Sequence, residues 1–399
     1  RRALSSPALW IDSSGAGRYR FHDEHPFHPI RLALTERLLI RAGALDASHR
    51  LDAYETDDAL QAVQALHRAD YVDAVQALSA ASPAREAIGR AEAYGLHPDG
   101  DTPYFAGMHD ASLAIVAGSM AAADAVMSGA ADRALHLAGG LHHAFPERAS
   151  GFCIYNDAAA AIARIRNRYG AKVMYVDTDV HHGDGVQWFF YTDSDVFTMS
   201  IHETGKFLFP GTGFAYERGD SLGYGACLNL PMEPYTEDDS WLACFSRALE
   251  AAASAFRPDV IVSQHGCDAH AYDPLAHMHC SMKIYREMPR MIRETADRYA
   301  QGRWVALGGG GYDHWRVVPR AWSLLWMEMR GHPLLAAIDG AQAPLTLPEG
   351  WMGDLADRRP PQMPDTWLDE TSAWKPMPRR AEITANNRRM LDIALQHLG

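Results

Sequence analysis

Short apolar runs alternate with helical stretches through the middle of the chain, and this alternation constrains the fold more than any other feature. Stretches with helical periodicity lie near residues 186–191, 237–256 and 281–300. Short, uniformly apolar strands that alternate with helices are typical of parallel sheets covered by helices on both faces. The strand candidates are the runs 172–177, 196–202, 259–265 and 304–307. The sequence therefore predicts an α/β fold in which helices flank a central, mostly parallel β-sheet.

The two ends of the chain differ from this middle part. Apolar residues recur at helical spacing over about 31–80, and an Ala-rich helix is predicted over about 110–127. After about Gly340 the chain is Pro-rich, and a last helix is predicted near 387–398. We expect one large domain over residues 1–340, with an extension over 341–399 that packs on the same domain.

The charge balance bears on the kind of partner. The chain carries 50 acidic against 37 basic residues, a formal charge of −13, and its 47% apolar content is that of a globular protein. An acidic protein is disfavoured as a direct nucleic-acid binder, because phosphates require basic groups, and it suits a cationic partner.

Cysteine usage and hydropathy bear on location. The five cysteines include no CxxC pair and are odd in number, so we predict no disulfide framework and a reducing, cytoplasmic setting. The longest apolar stretch, 111–131, is rich in Ala and Gly and is interrupted by Asp124. We therefore predict no membrane span.

Two carboxylates and an imidazole alternate along the segment that follows the first strand candidate. Asp177, Asp179 and His181 are two residues apart, so along an extended segment they share one side. Asp268 follows another strand candidate and adds a third carboxylate. Zn²⁺ or Fe²⁺ accepts such ligands, and three protein ligands leave a position for water and substrate. The predicted metal site is Asp179, His181 and Asp268; solvated loop residues are the alternative.

A pair of adjacent histidines, His142 and His143, follows another apolar run. Imidazole titrates near neutral pH, as a base that activates water must. Asp177 and Asp184 are available to pair with the histidines, and such a carboxylate fixes the tautomer and raises the basicity of the ring. We predict two Asp–His pairs; ordinary surface histidines are the alternative.

Four glycines at 308–311 follow the last strand candidate and precede Tyr312. Glycine permits positive φ and close backbone approach, which allows the Tyr312 hydroxyl to lie where it can donate to a developing oxyanion. Phosphate binding is the alternative, but neither nucleotide-binding glycine motif is present.

Other residues carry weaker signals. His22 and His25 fit no zinc-protease spacing, so a loop or rim position is favoured. The turn at 209–213 can present Phe209 to a cleft. Further histidines surround Asp268, and spacing alone assigns none of them as a ligand; they are at positions 265, 270, 277 and 279.

In combination these segments resemble the arginase/deacetylase superfamily, and within it the class I-like histone deacetylases. The resemblance covers roughly residues 20–330 and is strongest to the bacterial acetoin-utilisation deacetylases. The segments that carry it are GLHHA at 140–144, GFCIYND at 151–157, DTDVHHGDG at 177–185, FPGTG at 209–213, GCD at 266–268 and GGGGY at 308–312, with YRFHDEHPF at 19–27 and SQHGCDAH at 263–270.

The resemblance implies the arginase/deacetylase fold and a zinc-dependent lysine deacetylase, although Fe²⁺ is also compatible. It makes Asp179, His181 and Asp268 the metal ligands and Tyr312 the catalytic tyrosine. Further roles follow in the same way: His143 is general base and acid with Asp184 behind it, and His142 is an electrostatic partner with Asp177.

The resemblance also implies positions for the substrate and for a structural ion. The tunnel residues are Gly151, Phe152, Phe209 and Leu275, and Asp101 is the rim acid that grips the substrate backbone. A structural K⁺ is implied at Asp177, Asp179, His181, Ser200 and Ile201. The pair Ala269 and His270 departs from the family pattern, and we expect it to reshape the tunnel mouth.

The implied partner is an acetylated protein, such as an acetylated metabolic enzyme, with acetyl-CoA synthetase as a plausible substrate. An acetylpolyamine or other small acylated amine is the alternative substrate. A silent acetyl-lysine binder and a two-manganese ureohydrolase are the other readings, but the ureohydrolase needs additional Asp and His ligands.

Overall fold

The computed structural model describes residues 6–12, 15–53 and 56–398, and in these ranges the chain forms one sheet of eight strands. Every strand pair is parallel, and the strand order is β2-β1-β3-β8-β7-β4-β5-β6. The strands are β1 (Ser6–Asp12), β2 (Arg50–Asp52), β3 (Ala131–His136), β4 (Val173–Asp177), β5 (Val196–Glu203), β6 (Cys227–Met232), β7 (Val260–Gln264) and β8 (Trp304–Leu307). The predicted α/β fold is confirmed, with a wholly parallel sheet.

Helices cover both faces of the sheet. They are α1 (Ile30–Arg41), α2 (Thr56–Leu66), α3 (Ala69–Leu78), α4 (Arg85–Arg90), α5 (Met108–Met127), α6 (Asp157–Tyr169), α7 (Asp184–Phe190), α8 (Asp238–Phe256), α9 (Met282–Tyr299), α10 (Val318–Arg330), α11 (Leu334–Gly340) and α12 (Arg380–Leu395). Helices α5 and α6 pack on one face, and α1, α8, α9 and α10 pack on the other. The last helix, α12, begins at Arg380, whereas the sequence predicted a start near residue 387.

Strand β4 illustrates why the central strands read as continuous apolar runs. Met174 and Val176 pack into the core on one face of the sheet, and Val173 and Tyr175 pack into the core on the other. Side chains alternate across a strand, so a strand covered on both faces needs apolar residues at every position.

Helix α5 is the one helix in the described part of the chain that is long and apolar enough to cross a membrane. Its apolar window is 78% buried inside the protein. This burial is that of a core helix, and it packs directly against α6 and β3.

The order in which strands enter the sheet determines where polar loops meet. Strands β3 and β4 are not neighbours, because β8 and β7 lie between them. The carboxyl ends of β3, β8, β7, β4 and β5 therefore lie side by side at one edge. Ligands of open parallel sheets bind at this edge.

Residues 341–398 contact the sheet and the helices through α12 and the loop before it. Helix α12 packs against β6 and α8, and the buried Asn387 amide donates to Thr236 Oγ1 at 2.9 Å. In the preceding loop, Asp369 accepts hydrogen bonds from Arg320 Nη1 at 2.9 Å and His270 Nε2 at 2.8 Å. The domain boundary at residue 340 stays a prediction.

His270 bonds the C-terminal segment, and the expected effect of Ala269 and His270 on the tunnel mouth stays a prediction. The His270 side chain is buried, Nδ1 accepts from the Tyr272 amide, and Nε2 therefore carries the proton donated to Asp369. The residue anchors the C-terminal segment.

We predict that Asp369→Asn lowers the free energy of unfolding by about 3–5 kcal/mol, because it leaves the buried Arg320 guanidinium without its ionic partner. Urea unfolding measures the change. The matched control Asp365→Asn changes an exposed carboxylate in the same segment and should stay within about 0.5 kcal/mol of the parent. Equal stability of both variants would mean that the buried ion pair does not hold this segment.

Candidate active site

Five neighbouring strands each deliver one part of a polar site at the carboxyl edge of the sheet. The loops carry His142 and His143 after β3, residues 177–184 from the end of β4, Phe209 after β5, Asp268 after β7 and Tyr312 after β8. The residues predicted from the sequence as metal-binding or catalytic thus come from separate loops to one place.

Asp179, His181 and Asp268 form a buried group whose ligand atoms all lie within 4.8 Å of one another. His181 Nδ1 is 3.3 Å from Asp179 Oδ1 and 3.1 Å from Asp268 Oδ2. Ligand atoms bound at ~2.0–2.1 Å around a tetrahedral ion lie about 3.3 Å apart. The donor types and their spacing therefore fit a divalent cation such as Zn²⁺ or Fe²⁺.

Backbone and amide donors hold these carboxylates in place. Asp179 Oδ2 accepts from Gln264 Nε2 at 3.0 Å and from the Gly310 amide at 2.9 Å, and Asp268 Oδ1 accepts from the Val180 amide at 2.8 Å. A Cβ on Gly310 would lie 2.2 Å from Asp268 Oδ2, so this position requires glycine. Gln264 was missed by the sequence analysis, although a polar residue at the end of β7 was a usable signal.

The electrostatics of this group call for a cation. Burial and the neighbouring Asp179 charge raise the pKa of Asp268 to about 6. Burial opposes ionisation of Asp179 too, but the His142 and His181 rings hold its pKa well below the usual range. Burial lowers the pKa of His181, yet its bonds to the two carboxylates raise that pKa overall. Positive charge placed here is therefore strongly favoured.

Both predicted Asp–His pairs form. His142 Nδ1 donates to Asp177 Oδ2 at 2.6 Å, and the Tyr175 hydroxyl donates to the same oxygen at 2.7 Å. His143 Nδ1 donates to Asp184 Oδ1 at 2.7 Å. A carboxylate only accepts, so the Nδ1 of each ring carries a proton and Nε2 is left for chemistry.

The two adjacent histidines differ in charge. Burial lowers the pKa of His142, but Asp177 and Asp179 outweigh burial and raise it to about 9. Burial and the His142 charge lower the pKa of His143 in spite of Asp184. At neutral pH His142 is cationic and His143 is a neutral base. A cation bound by Asp179 would offset part of the charge that raises the His142 pKa.

A cavity of about 260 Å³ leads to this group, and His143, His181 and Tyr312 are among the residues that line it. All five predicted substrate residues line it: Asp101, Gly151, Phe152, Phe209 and Leu275. Leu208 lines it as well and was not predicted. At Gly151, φ is +53° and a Cβ would lie 2.5 Å from the His143 ring, so a side chain there would displace the base.

Asp101 lies at the exposed rim of this cavity. His25 Nε2 donates to the Asp101 carbonyl at 2.8 Å, which gives His25 the rim position that the sequence favoured. The Thr102 hydroxyl donates to Asp101 Oδ1 at 2.8 Å and accepts from the Phe152 amide at 2.9 Å. These bonds fix the rim carboxylate to the cavity wall.

Two buried side chains that support the site were not singled out in the sequence. Arg31 Nη1 donates to the carbonyls of Gly309 at 2.7 Å and Gly311 at 3.2 Å, which fixes the loop before Tyr312. Asp157 accepts from the Gly140 amide at 2.9 Å, just before the histidine pair. Arg31 gave no sequence signal, because it acts across 278 residues.

The residues of the predicted K⁺ site lie between β4 and β5. Asp177 and Ser200 are directly paired across these strands, and Ile201 follows Ser200 in β5. The Ser200 hydroxyl also bonds His202 Nδ1 at 2.8 Å. Potassium binding stays a prediction.

Comparisons with known proteins agree with this geometry. Residues 25–329 match the histone deacetylase domain family. The chain is 46% identical over 398 residues to acetoin utilization protein AcuC of Bacillus subtilis strain 168, covering 97% of this chain and 96% of that protein. It is 44% identical over 372 residues to AcuC of Staphylococcus xylosus, covering 93% and 92% of the two chains. The crystal structure of an HDAC homolog from Aquifex aeolicus superimposes with a TM-score of 0.80 at 26% identity, covering 96% of this chain and 99% of that one.

We predict that Asp268→Asn abolishes stoichiometric binding of a divalent metal, because the change removes one anionic ligand from the three-residue group. Metal content after desalting, measured by mass spectrometry, tests this. The control Asp273→Asn alters a buried carboxylate of the same loop that bonds the Leu275 and Tyr312 amides, and it should keep the metal. Full metal content in Asp268→Asn would show that Asp268 is not a metal ligand and that other residues bind the ion.

Proposed function

This chain belongs to the histone deacetylase family, and from that premise we propose that it is a metal-dependent protein lysine deacetylase that releases acetate. Family membership makes it a deacetylase, a hydrolase that acts on an acetylated substrate. One observation carries the finer proposal: a single narrow cavity reaches a neutral histidine, the Asp-His-Asp group and a tyrosine. These are the groups that hydrolysis of an unactivated amide requires.

Asp179, His181 and Asp268 hold the metal ion in this proposal, either Zn²⁺ or Fe²⁺. When bound, such an ion supplies a Lewis acid for the acetyl carbonyl and for water. The glycine loop and Gln264 keep the carboxylates oriented through the hydrogen bonds described above.

His143 moves the proton. Its Nε2 takes a proton from the attacking water while the water oxygen bonds to the acetyl carbon. The same nitrogen then returns the proton to the lysine nitrogen as the carbon–nitrogen bond breaks. The acid proton of the second product passes to the amine, which leaves acetate and the lysine ammonium group. Asp184 holds the ring in the required tautomer throughout.

Tyr312 and His142 stabilise the negative charge that develops on the carbonyl oxygen. Burial and the charges of Asp268 and Asp179 raise the pKa of Tyr312 well above its usual value, so its hydroxyl stays protonated and can donate. The cationic ring of His142 lies with its centroid 4.0 Å from that of His143 and adds positive charge nearby.

The cavity suits the acetylated side chain. Phe152 and Phe209 offer apolar walls to a methylene stem, and a neutral acetyl-lysine loses little by burial, whereas a charged lysine is disfavoured. Asp101 at the rim presents a carboxylate oxygen to backbone N–H groups of a polypeptide. These features support an acetylated protein as substrate, with acetyl-CoA synthetase as a plausible one.

The proposal also includes a structural ion and a cellular compartment. Structural K⁺ binds at Asp177, Asp179, His181, Ser200 and Ile201, supported by the strand pairing of Asp177 with Ser200. The protein acts in the cytoplasm, supported by five cysteines that are all free and buried.

A small acylated amine is the second candidate substrate. The formal charge of −13 and the rim carboxylate of Asp101 attract cationic molecules such as acetylpolyamines. A ureohydrolase is less well supported, since the metal-ligand groups found among the described residues amount to one set of three.

Acetate release from an acetyl-lysine peptide tests the reaction and its metal. Activity should disappear after treatment with a chelator and return with stoichiometric zinc, because the carbonyl and the water both need the cation. Acetylspermidine assayed beside the peptide separates the two substrate classes. A higher kcat/KM for acetylspermidine than for the peptide would favour small acylated amines over proteins as the substrate. Turnover that resists the chelator would refute the proposed metal dependence.

We expect Tyr312→Phe to lower kcat by about 10²-fold or more, since it deletes one oxyanion donor. Metal content and the thermal midpoint should stay unchanged. Tyr216→Phe removes a hydroxyl from a tyrosine that is 75% exposed and away from the cavity, and it serves as the matched control with full activity. Parental kcat in Tyr312→Phe would exclude the assigned role.

A further inference from the structure

A second groove opens beside the deep cavity. It has a volume of about 460 Å³, and Tyr312 lines both the groove and the cavity. The two spaces therefore meet at Tyr312, and the groove extends from there towards Pro360, Pro361 and Gln362.

The far wall of the groove comes from the C-terminal segment. Pro360, Pro361 and Gln362 lie beyond residue 329, where the match to the histone deacetylase domain ends. The segment is fixed close by: Arg320 Nη1 donates to the Thr366 carbonyl at 3.3 Å and to Asp369 Oδ1 at 2.9 Å. The buried ion pair between Arg320 and Asp369 thus fixes the segment that forms this wall.

The groove presents rings and prolines without a free charge. The two charged side chains that line it, Asp313 and Arg316, are 2.7 Å apart and neutralise each other, and the Arg316 guanidinium lies 4.3 Å from the centre of the Tyr272 ring. His314 bonds the Pro26 carbonyl at 2.5 Å, and burial lowers its pKa to about 4, so it is neutral. Trp315 completes an aromatic surface. Such a surface selects an apolar or aromatic side chain.

We propose that this groove binds an apolar or aromatic side chain of the polypeptide that carries the acetylated lysine, so that the C-terminal segment sets the sequence preference of the enzyme. The inference rests on the proposed function. A polypeptide whose acetyl-lysine fills the cavity lies beside the groove, because Tyr312 lines both spaces and Pro274 of the groove adjoins Leu275 of the cavity. An extended chain advances ~3.3–3.6 Å per residue. Residues one to three positions from the lysine therefore reach the groove.

The test compares peptides in which one position beside the acetylated lysine is either Gly or Tyr. At one flanking position Tyr should raise kcat/KM about tenfold, as burial of one large apolar side chain does. Gln362→Trp fills the groove at an exposed position of its wall and should remove this gain. The same change at the exposed Gln342, which does not line the groove, should preserve it.

Acetyl-lysine amide, which has no flanking residues, is the reference substrate. Parent, Gln362→Trp and Gln342→Trp should turn it over equally, and Pro361→Asp, which places a charge in the wall, should behave like Gln362→Trp. The proposal for the groove would be overturned if the Tyr peptide had no higher kcat/KM than the Gly peptide in the parent. It would also be overturned if the increase persisted in both groove variants. A loss on acetyl-lysine amide in both groove variants would also overturn it, since groove and cavity would not then be separate sites. If the parent released acetate neither from acetyl-lysine amide nor from any of the peptides, the proposed function itself would fail.

Discussion

The buried carboxylates of Asp179 and Asp268 impose the constraint on which the rest of the site depends. Both are at most 1% exposed, and each raises the electrostatic cost of ionising the other. Donors from two loops and from the end of β7 offset that cost: the Gly310 amide, the Val180 amide and Gln264 Nε2. The glycine loop, β4 and β7 must therefore meet within hydrogen-bond distance, which the insertion of β7 and β8 between β3 and β4 achieves. A bound cation would complete this balance, because it would lie between two carboxylates whose ligand atoms are within 4.8 Å of each other.

The same constraint gives two neighbouring histidines different tasks. His142 Nε2 lies 3.8 Å from Asp179 Oδ2, so the metal-binding group stabilises its protonated form. His143 has its own carboxylate, but burial and the positive charge of His142 lower its pKa. Each ring has an Asp partner at nearly the same distance. The difference between the pKa values of the two rings therefore comes from groups outside each Asp–His pair. The opposite pKa shifts of the two rings thus come from the surroundings of each pair rather than from its own carboxylate.

The sequence predicts those parts of this structure that have a local signature. The runs that became β4, β5, β7 and β8 are apolar because both their faces are covered, and the polar residues at their ends come together in the candidate site. Strands β1, β2, β3 and β6 were not predicted. β2 and β6 are edge strands, and β6 tolerates Pro231 in its interior because an edge strand can do without one donor. Arg31 and the Asp369 anchor act between residues far apart in the chain, so no local pattern could reveal them.

The C-terminal segment links these long-range contacts to substrate choice. His270 lies two residues after the metal-ligand position Asp268, and its ring is bonded to Asp369 of the segment. Asp369 also accepts the Met282 amide at 2.8 Å, so both ends of the loop after β7 are tied to one carboxylate. Through Asp369, the segment therefore supports the loop that carries Asp268. The same segment forms the wall of the groove that Tyr312 also lines. A change in this segment that shifts the wall but keeps Asp369 can alter which polypeptide fits without moving the Asp-His-Asp group. Chemistry and sequence preference are in this way separated along the chain, with the first in residues 25–329 and part of the second beyond them.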